Sequence, residues 1–286
     1  MVCDGVVLVM ACLYIVATPI GNLGDMTRRA IDTLQNADVI AAEDTRHSAK
    51  LMAHFDIRTP MVSYHDHSSP GEIERLLERL RGGDSIALIC DAGTPTISDP
   101  GYRLIAACQA ERLPVVPIPG PSSMTAALSA AGLPSNRFHF EGFLPSKPGQ
   151  RSQRLKSLRT NEATLIFFES PRRLPIALEA ICSVLGDREA ALCRELTKSH
   201  ETIRRDRLSA LVKFVLGDLN QQRGEIVILV RGFDAAESVV SPSAWIWLER
   251  LARELPPRRA AAIVADVTGQ PARDLYQWLL DRSEQT

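Results

Sequence analysis

The sequence predicts an α/β protein: two α/β domains sharing a ligand cleft, followed by a small C-terminal helical appendage. Three observations carry this. Short apolar runs alternate with longer stretches of helical period, glycine- and proline-rich loops follow the strands, and the composition changes after Gly232. At 286 residues the chain has room for about two domains.

In the first half the predicted strands are Tyr14–Thr18, Val39–Ala42, Met61–Tyr64, Ser85–Cys90 and Val115–Ile118. Helical periodicity falls between them, at Ile31–Ala37, Ser48–Phe55, Glu72–Arg81 and Tyr102–Glu111. A second series follows at Phe138–Phe143, Leu165–Phe168, Ala190–Arg194 and Glu225–Val230, spaced by helices at Leu174–Leu185 and Arg207–Leu216. The break lies at a small-residue helix, Ser123 to Ala131, which stops at Gly132 with Pro134 beyond. The expected division is therefore 1–121, 122–233 and 234–286. In the last segment Asp234–Pro242 reads as a linker. Helical patterns follow at Ala244–Glu254, Pro257–Val267 and Pro271–Leu280, with Pro271 suited to a first helical position. The last two, joined at Thr268-Gly269, have the form of a helix-turn-helix. Residues 241–286 hold six basic and six acidic side chains, so a capping bundle explains them as well as nucleic-acid binding does.

Composition narrows the function. Hydrophobic residues make up 45% and charged residues 23%, with a net charge of −1, so any nucleic-acid contact has to come from a local basic patch. The six cysteines form no C-x-x-C pair and sit mostly in apolar runs, which argues against a disulfide framework or zinc site and fits a reducing, cytoplasmic setting. The apolar run Val6 to Val16 lacks the basic flank of a signal peptide, and no stretch is long enough to span a bilayer. The residues before Leu13 read as a loosely specified extension.

Three loops carry the chemistry. Ala17 to Asp25 directly follows the first strand, with Asp25 placed to cap the next helix. It is neither a dinucleotide fingerprint nor a phosphate loop, since G-x-G-x-x-G and a following lysine are missing. Cys90 to Gly101 brings a carboxylate, a glycine and a proline to the carboxyl edge of a buried strand, where α/β sheets bind ligands. Within it Asp99 is expected to cap a helix starting at Pro100. Ile118 to Ser123 runs from strand to helix start, so Ser122 or Ser123 either caps the helix or helps hold a carboxylate or ribose.

These loops, together with Glu43-Asp44-Thr45-Arg46, Gly132-Leu133-Pro134, Phe140 to Pro145, Glu169-Ser170-Pro171 and Arg194 to Lys198, resemble the ordered signatures of one family. That family is ribosomal RNA small-subunit methyltransferase I, the cytidine 2′-O-methyltransferase branch of the tetrapyrrole methylases. The similarity runs from about Leu13 to Val230, and Pro256–Leu280 resembles the family's helical appendage. Ser68, Thr96 and Arg172 depart from its usual residues.

The resemblance implies the tetrapyrrole-methylase type of fold, a homodimer, and S-adenosylmethionine bound in the cleft between the domains. Carried over residue by residue, the cofactor contacts are Pro19, Asp91, Ala92, Gly93, Thr94, Ser122, Ser123, Phe168, Glu169, Leu196, Gly224 and Glu225. The acceptor it implies is a cytidine ribose of 16S rRNA, alone or in the small ribosomal subunit.

Transfer to a hydroxyl is an in-line displacement that also needs somewhere for a proton to go. Glu43, Asp44 and Glu195 are candidate bases; each also has a structural reading, Glu43 and Asp44 at a helix start paired with Arg46, Glu195 paired with Arg194 or Lys198. No metal is called for, and His65-Asp66-His67 has no third ligand nearby. RNA contact is expected at Arg46, at Lys147, Arg151, Arg154 and Lys156 in a segment without acidic residues, and at Arg172 and Arg173, with Arg204-Arg205 adding charge. The start of that segment, around Gly149, reads as mobile; a solvated helix face is the alternative. Two other functions stay open on the residues alone: methylation of a tetrapyrrole or other small acceptor, and nucleic-acid binding without catalysis.

Overall fold

A computed structural model describes residues 11–65, 68–234 and 242–283. The N-terminal extension, most of the linker, and Asp66 and His67 lie outside the described residues.

The first half contains strands β1 (Leu13–Val16), β2 (Val39–Ala42), β3 (Met61–Ser63), β4 (Ile86–Ile89) and β5 (Val115–Ile118). Helices α1 (Arg28–Asn36), α2 (Thr45–His54), α3 (Pro70–Arg81) and α4 (Tyr102–Ala110) connect them. The strands pair in parallel in the order β3-β2-β4-β1-β5. Parallel pairing forces each connection across a sheet face, so both faces are covered and the central strands are apolar throughout. Alternation along each strand decides which helices its side chains meet. Tyr14, Ile40, Ala42, Ala87 and Ile89 pack with Leu34 of α1 and Met52 of α2. Leu13, Val39, Ala41, Ile86 and Leu88 pack with Leu77 and Leu80 of α3 and Leu104 of α4.

The second half opens with α5 (Ser123–Ala130) and builds a sheet from β6 (Phe138–Phe143), β7 (Thr164–Glu169), β8 (Glu189–Arg194), β9 (Thr202–Arg207) and β10 (Ile226–Val230). The order is β6-β7-β10-β8-β9, with β6 parallel to β7 and the other neighbours antiparallel. One face, including Phe167, Leu192 and Ile228, meets α6 (Pro148–Leu158), α7 (Leu174–Leu185) and α8 (Leu208–Gly217). The other face, including Ile166, Cys193 and Val227, packs against α5 and against Ile20 from the loop after β1. This last cluster joins the two halves.

Two segments differ from expectation. The stretch after β6 is an ordered helix, α6: Pro148 sits at its start, and Leu155 and Leu158 anchor it in the core. The strand β9 went unpredicted because its sequence, Thr-Ile-Arg-Arg-Asp-Arg, lacks apolar alternation. It is an edge strand, where charge is tolerated and discourages pairing with other chains. Its arginines serve the fold: Arg205 pairs with Glu189 at 3.0 Å, while Arg204 pairs with Asp206 and lies over Phe214.

The appendage is three helices, α9 (Pro242–Leu251), α10 (Pro257–Thr268) and α11 (Ala272–Ser283), around Leu248, Ala261, Val264 and Leu275. Gly269 at φ +71° ends α10 in the left-handed conformation that glycine favours, and α11 starts three residues later. Arg159, at the end of α6, ties the appendage to the second sheet. Its guanidinium lies 4.3 Å from the Trp245 ring and 5.4 Å from the Trp278 ring, and Nη1 donates to Glu249 Oε1 at 2.6 Å. We expect Arg159→Ala to cost about 1–3 kcal/mol of docking and to speed hydrogen exchange in α9–α11 while α1–α4 are unchanged. Arg159→Lys keeps the charge without the flat stacking surface and should recover only part of the loss.

Candidate active site

Three loops leave the carboxyl ends of the adjacent strands β4, β1 and β5, and hydrogen bonds lock them together. Thr18 and Gly93 exchange both backbone bonds, at 2.9 and 3.0 Å. Thr18 Oγ1 donates to Cys90 O at 3.2 Å, and Thr94 Oγ1 donates to Pro121 O at 3.0 Å. Gly93 takes φ +83°, which suits a residue without a Cβ, and Thr96 and Ser98 further along the same loop take φ 74° and 68°. Non-glycine residues held this way cost on the order of 1–3 kcal/mol each and gather at functional sites.

Two expected caps are not caps. Thr27, not Asp25, caps α1, accepting from Ala30 N–H at 3.1 Å, because the chain makes an extra 3₁₀ turn at Leu23–Asp25 first. Asp99 does not cap α4 either. That helix starts at Tyr102 after Gly101, whose φ of +144° and close approach to Thr96 leave no place for a side chain. Asp99 faces the cleft.

A cavity of about 360 Å³ lies where these loops meet the second sheet. Ala92, Gly93, Thr94, Ser122 and Ser123 line it from the first half and the start of α5. Phe168, Glu169, Leu196, Gly224 and Glu225 line it from the second, with Ile226 and Val227. The start of β10 reaches the same edge as the ends of β7 and β8 because it runs antiparallel to both. Sequence reasoning missed Ile97, Phe143 and Cys193 as lining residues, and Asp99 as one. Ser122 occupies the cap position of α5 without making a side-chain cap bond, so its hydroxyl is available to the cavity. The Glu169 carboxylate is buried and held by Ser170 N–H at 2.7 Å and by Arg173 at 3.1 Å. Burial pushes the Cys193 thiol up to about 12, so it stays neutral. Polar groups such as Asp99, Ser122 and Ser123 and apolar ones such as Phe168, Ile226 and Val227 together suit a small amphiphilic ligand.

Pro19 and Asp91 line a second, adjoining cavity of about 420 Å³. Ile20, Ala92 and Glu225 line both and mark the boundary they share. Lys198 closes one side, with Nζ 3.0 Å from Glu195 Oε1 and 3.2 Å from Glu225 Oε2. Its stem covers Gly21, and the Glu195 side chain covers Gly224; a Cβ at either glycine would collide. Glu195 and Thr197 take φ 51° and 68°, so this loop is strained like the one opposite.

The candidate bases Glu43, Asp44 and Glu195 line neither cavity. Asp44 caps α2 and grips Arg46 at 2.8 Å, and these bonds hold its carboxyl well below the usual range. Glu43 accepts from Asp91 N–H at 3.4 Å. Burial raises the Glu195 carboxyl, but the Glu225 N–H and the Lys198 ammonium outweigh it and leave Glu195 below its ordinary value. For Lys198, burial is outweighed by its two carboxylates, which raise it.

Several expected RNA contacts have partners within the chain. Arg151 is buried and donates to the carbonyls of Pro145 and Ser146. Arg154 grips Glu141, and Arg173 holds Glu169 and the Leu144 carbonyl. Lys147, Lys156 and Arg172 are exposed. Among the described residues there is no group of three or more His, Cys, Asp or Glu placed to hold a metal, and no helix long and apolar enough to cross a membrane.

Two stacked α/β units meeting at a cavity built from loop ends are also found in known proteins. A family profile for tetrapyrrole (corrin/porphyrin) methylases matches residues 12–212, and one for the RsmI C-terminal HTH domain matches 241–283. Among solved structures, uroporphyrin-III-C-methyltransferase from Thermus thermophilus superimposes with a TM-score of 0.55 at 20% identity, covering 77% of this chain and 94% of that one. The same enzyme complexed with S-adenyl homocysteine gives 0.53 at 19%, covering 76% and 96%. The chain belongs to the tetrapyrrole methylase family. Within it, the ribosomal RNA small subunit methyltransferase I of Pseudomonas aeruginosa is 49% identical over 94% of this chain and 97% of its own length, and that of Vibrio cholerae 48% over 94% of each.

Two predictions follow from the site's geometry. Gly93→Ala forces a Cβ onto a left-handed residue and should cost about 1–2 kcal/mol, read as a lower Tm and weaker donor binding by calorimetry. The Glu195–Lys198 pair adds stability between the ordinary values of its members, 4.5 and 10.5. A lowered carboxyl loses its contribution as pH falls below 4.5, and a raised ammonium loses its own as pH rises above 10.5. The stability difference between wild type and Glu195→Gln should therefore be flat at neutral pH and shrink on acidification, measured by denaturant titration.

Proposed function

We infer that this chain is an S-adenosylmethionine-dependent methyltransferase acting on the ribose 2′-hydroxyl of a cytidine in 16S rRNA. The observation that carries the reading is the pair of adjoining cavities joined at Ile20, Ala92 and Glu225, one for donor and one for acceptor. The relatives at nearly half identity bear the name of rRNA methyltransferases, and one fold neighbour is known in complex with S-adenyl homocysteine.

S-adenosylmethionine supplies an electrophilic methyl on a sulfonium. In the first cavity Ser122, Ser123 and the N–H groups opening α5 suit its carboxylate. The backbone at Ala92–Thr94 and the apolar wall of Phe168, Leu196 and Val227 suit its nucleoside. Transfer forms the bond from ribose oxygen to methyl as the bond from methyl to sulfur breaks, and the hydroxyl proton must leave. We assign proton acceptance to Glu225, the carboxylate common to both cavities, with the Lys198 ammonium stabilising negative charge on the oxygen. Glu43, Asp44 and Glu195 then act as supports for Asp91, α2 and Lys198.

Lys147, Lys156 and Arg172 are the exposed cations we assign to RNA contact. The domain division 1–121, 122–233 and 234–286, a homodimer, the small subunit as the assembled partner and a cytoplasmic location belong to the same proposal.

The test is to incubate the protein with labelled S-adenosylmethionine and small subunits from cells lacking this activity, then map the label. A methyl on a cytidine ribose is the expected result; label on a base, or none, overturns the assignment. Glu225→Gln should lower kcat by about 10²-fold or more with donor affinity nearly unchanged, measured by single-turnover kinetics and calorimetry.

A further inference from the structure

One face of α2 lines the second cavity. His47, Lys50, Leu51 and His54 recur at the three- and four-residue spacing that puts side chains on one side of a helix, and all line the cavity. The basic members differ from most basic residues near the cleft. Arg46 is tied to Asp44, Arg154 to Glu141 and Arg173 to Glu169. His47 and Lys50 are exposed, and their side chains make no hydrogen bond or ion pair with any described residue. The same cavity holds the carboxylates of Asp91 and Glu225, the latter paired with Lys198 at 3.2 Å. Leu23, half-exposed, and Leu51 add an apolar lip.

This arrangement separates charge by function. Carboxylates repel phosphate but accept hydrogen bonds from ribose hydroxyls, whereas a row of basic side chains that includes His47 and Lys50, neither bonded within the described residues, suits phosphate oxygens. We propose that the second cavity seats the target nucleotide, its ribose toward Asp91 and Glu225, and that His47, Lys50 and His54 form a phosphate track for the RNA strand on either side. The proposal rests on the reading of the chain as an RNA methyltransferase and adds the path of the strand, across α2 of the first domain.

The experiment measures binding of a short single-stranded RNA to the full chain across a salt series. Each phosphate contact to a single strand contributes about 0.7 to the slope of log affinity against log salt. Lys50→Ala should weaken binding several-fold and flatten the slope by about that amount, and Lys50→Glu should weaken it further. The remote Lys213→Ala should change neither. Affinity for S-adenosyl homocysteine, measured on the same samples, should be unaltered in each variant, which reports that the fold and donor cavity are intact. A Lys50 variant with the wild-type slope overturns the track, most directly if Lys147→Ala and Lys156→Ala flatten it instead. Wild-type protein that binds donor but shows no salt-dependent RNA binding also overturns the track; the methyltransferase reading falls only if labelling of small subunits fails as well.

Discussion

The two-way backbone bridge between Thr18 and Gly93 holds the site together. It closes the gap between the loops after β1 and β4, and the Thr94 hydroxyl extends the tie to the loop after β5. Loops normally trade precision for freedom. Here three of them are cross-linked by hydrogen bonds that require backbone shapes only glycine adopts without strain. The cavity floor is thereby as well defined as the sheet beneath it. The facing loop, Glu195 to Lys198, reaches a similar rigidity through an ion pair and two left-handed residues.

The two sheets contribute different things. A parallel sheet aims all its carboxyl ends one way, so one edge of the first half can carry three ligand loops. The mostly antiparallel second sheet brings both strand ends and a strand start to its edge, which places Phe168-Glu169, Arg194-Glu195 and Glu225 side by side from distant parts of the chain. Ile20 is the joint. It belongs to the loop after β1 yet packs in the second sheet's apolar cluster, and it also lines both cavities. Moving one half against the other therefore reshapes the boundary between the cavities.

Much of this was readable from the residues. β2, β5 and α7 fall where periodicity places them, because each has an apolar run and a glycine, proline or acidic stop, and β6 does so because phenylalanine recurs at Phe138, Phe140 and Phe143. Ala92 to Thr94, Ser122 and Ser123, which line the first cavity, stand out through loop composition and family resemblance together. What stayed hidden depends on partners distant in sequence. Edge strand β9 owes its conformation to β8, not to its own charged sequence. Arg151 and Arg154 look like a basic patch until the Pro145 carbonyl and Glu141 fold back onto them. The side of α2 that faces a cavity cannot be told from a solvated helix face by spacing alone. Asp99 was misplaced because a strained loop, with Thr96 and Ser98 left-handed, delays the helix start to Tyr102.

The strand order also governs how the molecule can be made. β1 leaves the ribosome first, yet its neighbours are β4 and β5, which begin at Ile86 and Val115. Until those emerge, the first strand has both edges bare. The first cavity needs Gly224 to Val227 for its last wall, so it cannot close until β10 has been made. Contacts this far apart make for slow folding and prolonged exposure of apolar strands. The nascent chain thus carries an apolar strand with unpaired edges until β4 and β5 have been made, long before any activity exists to protect.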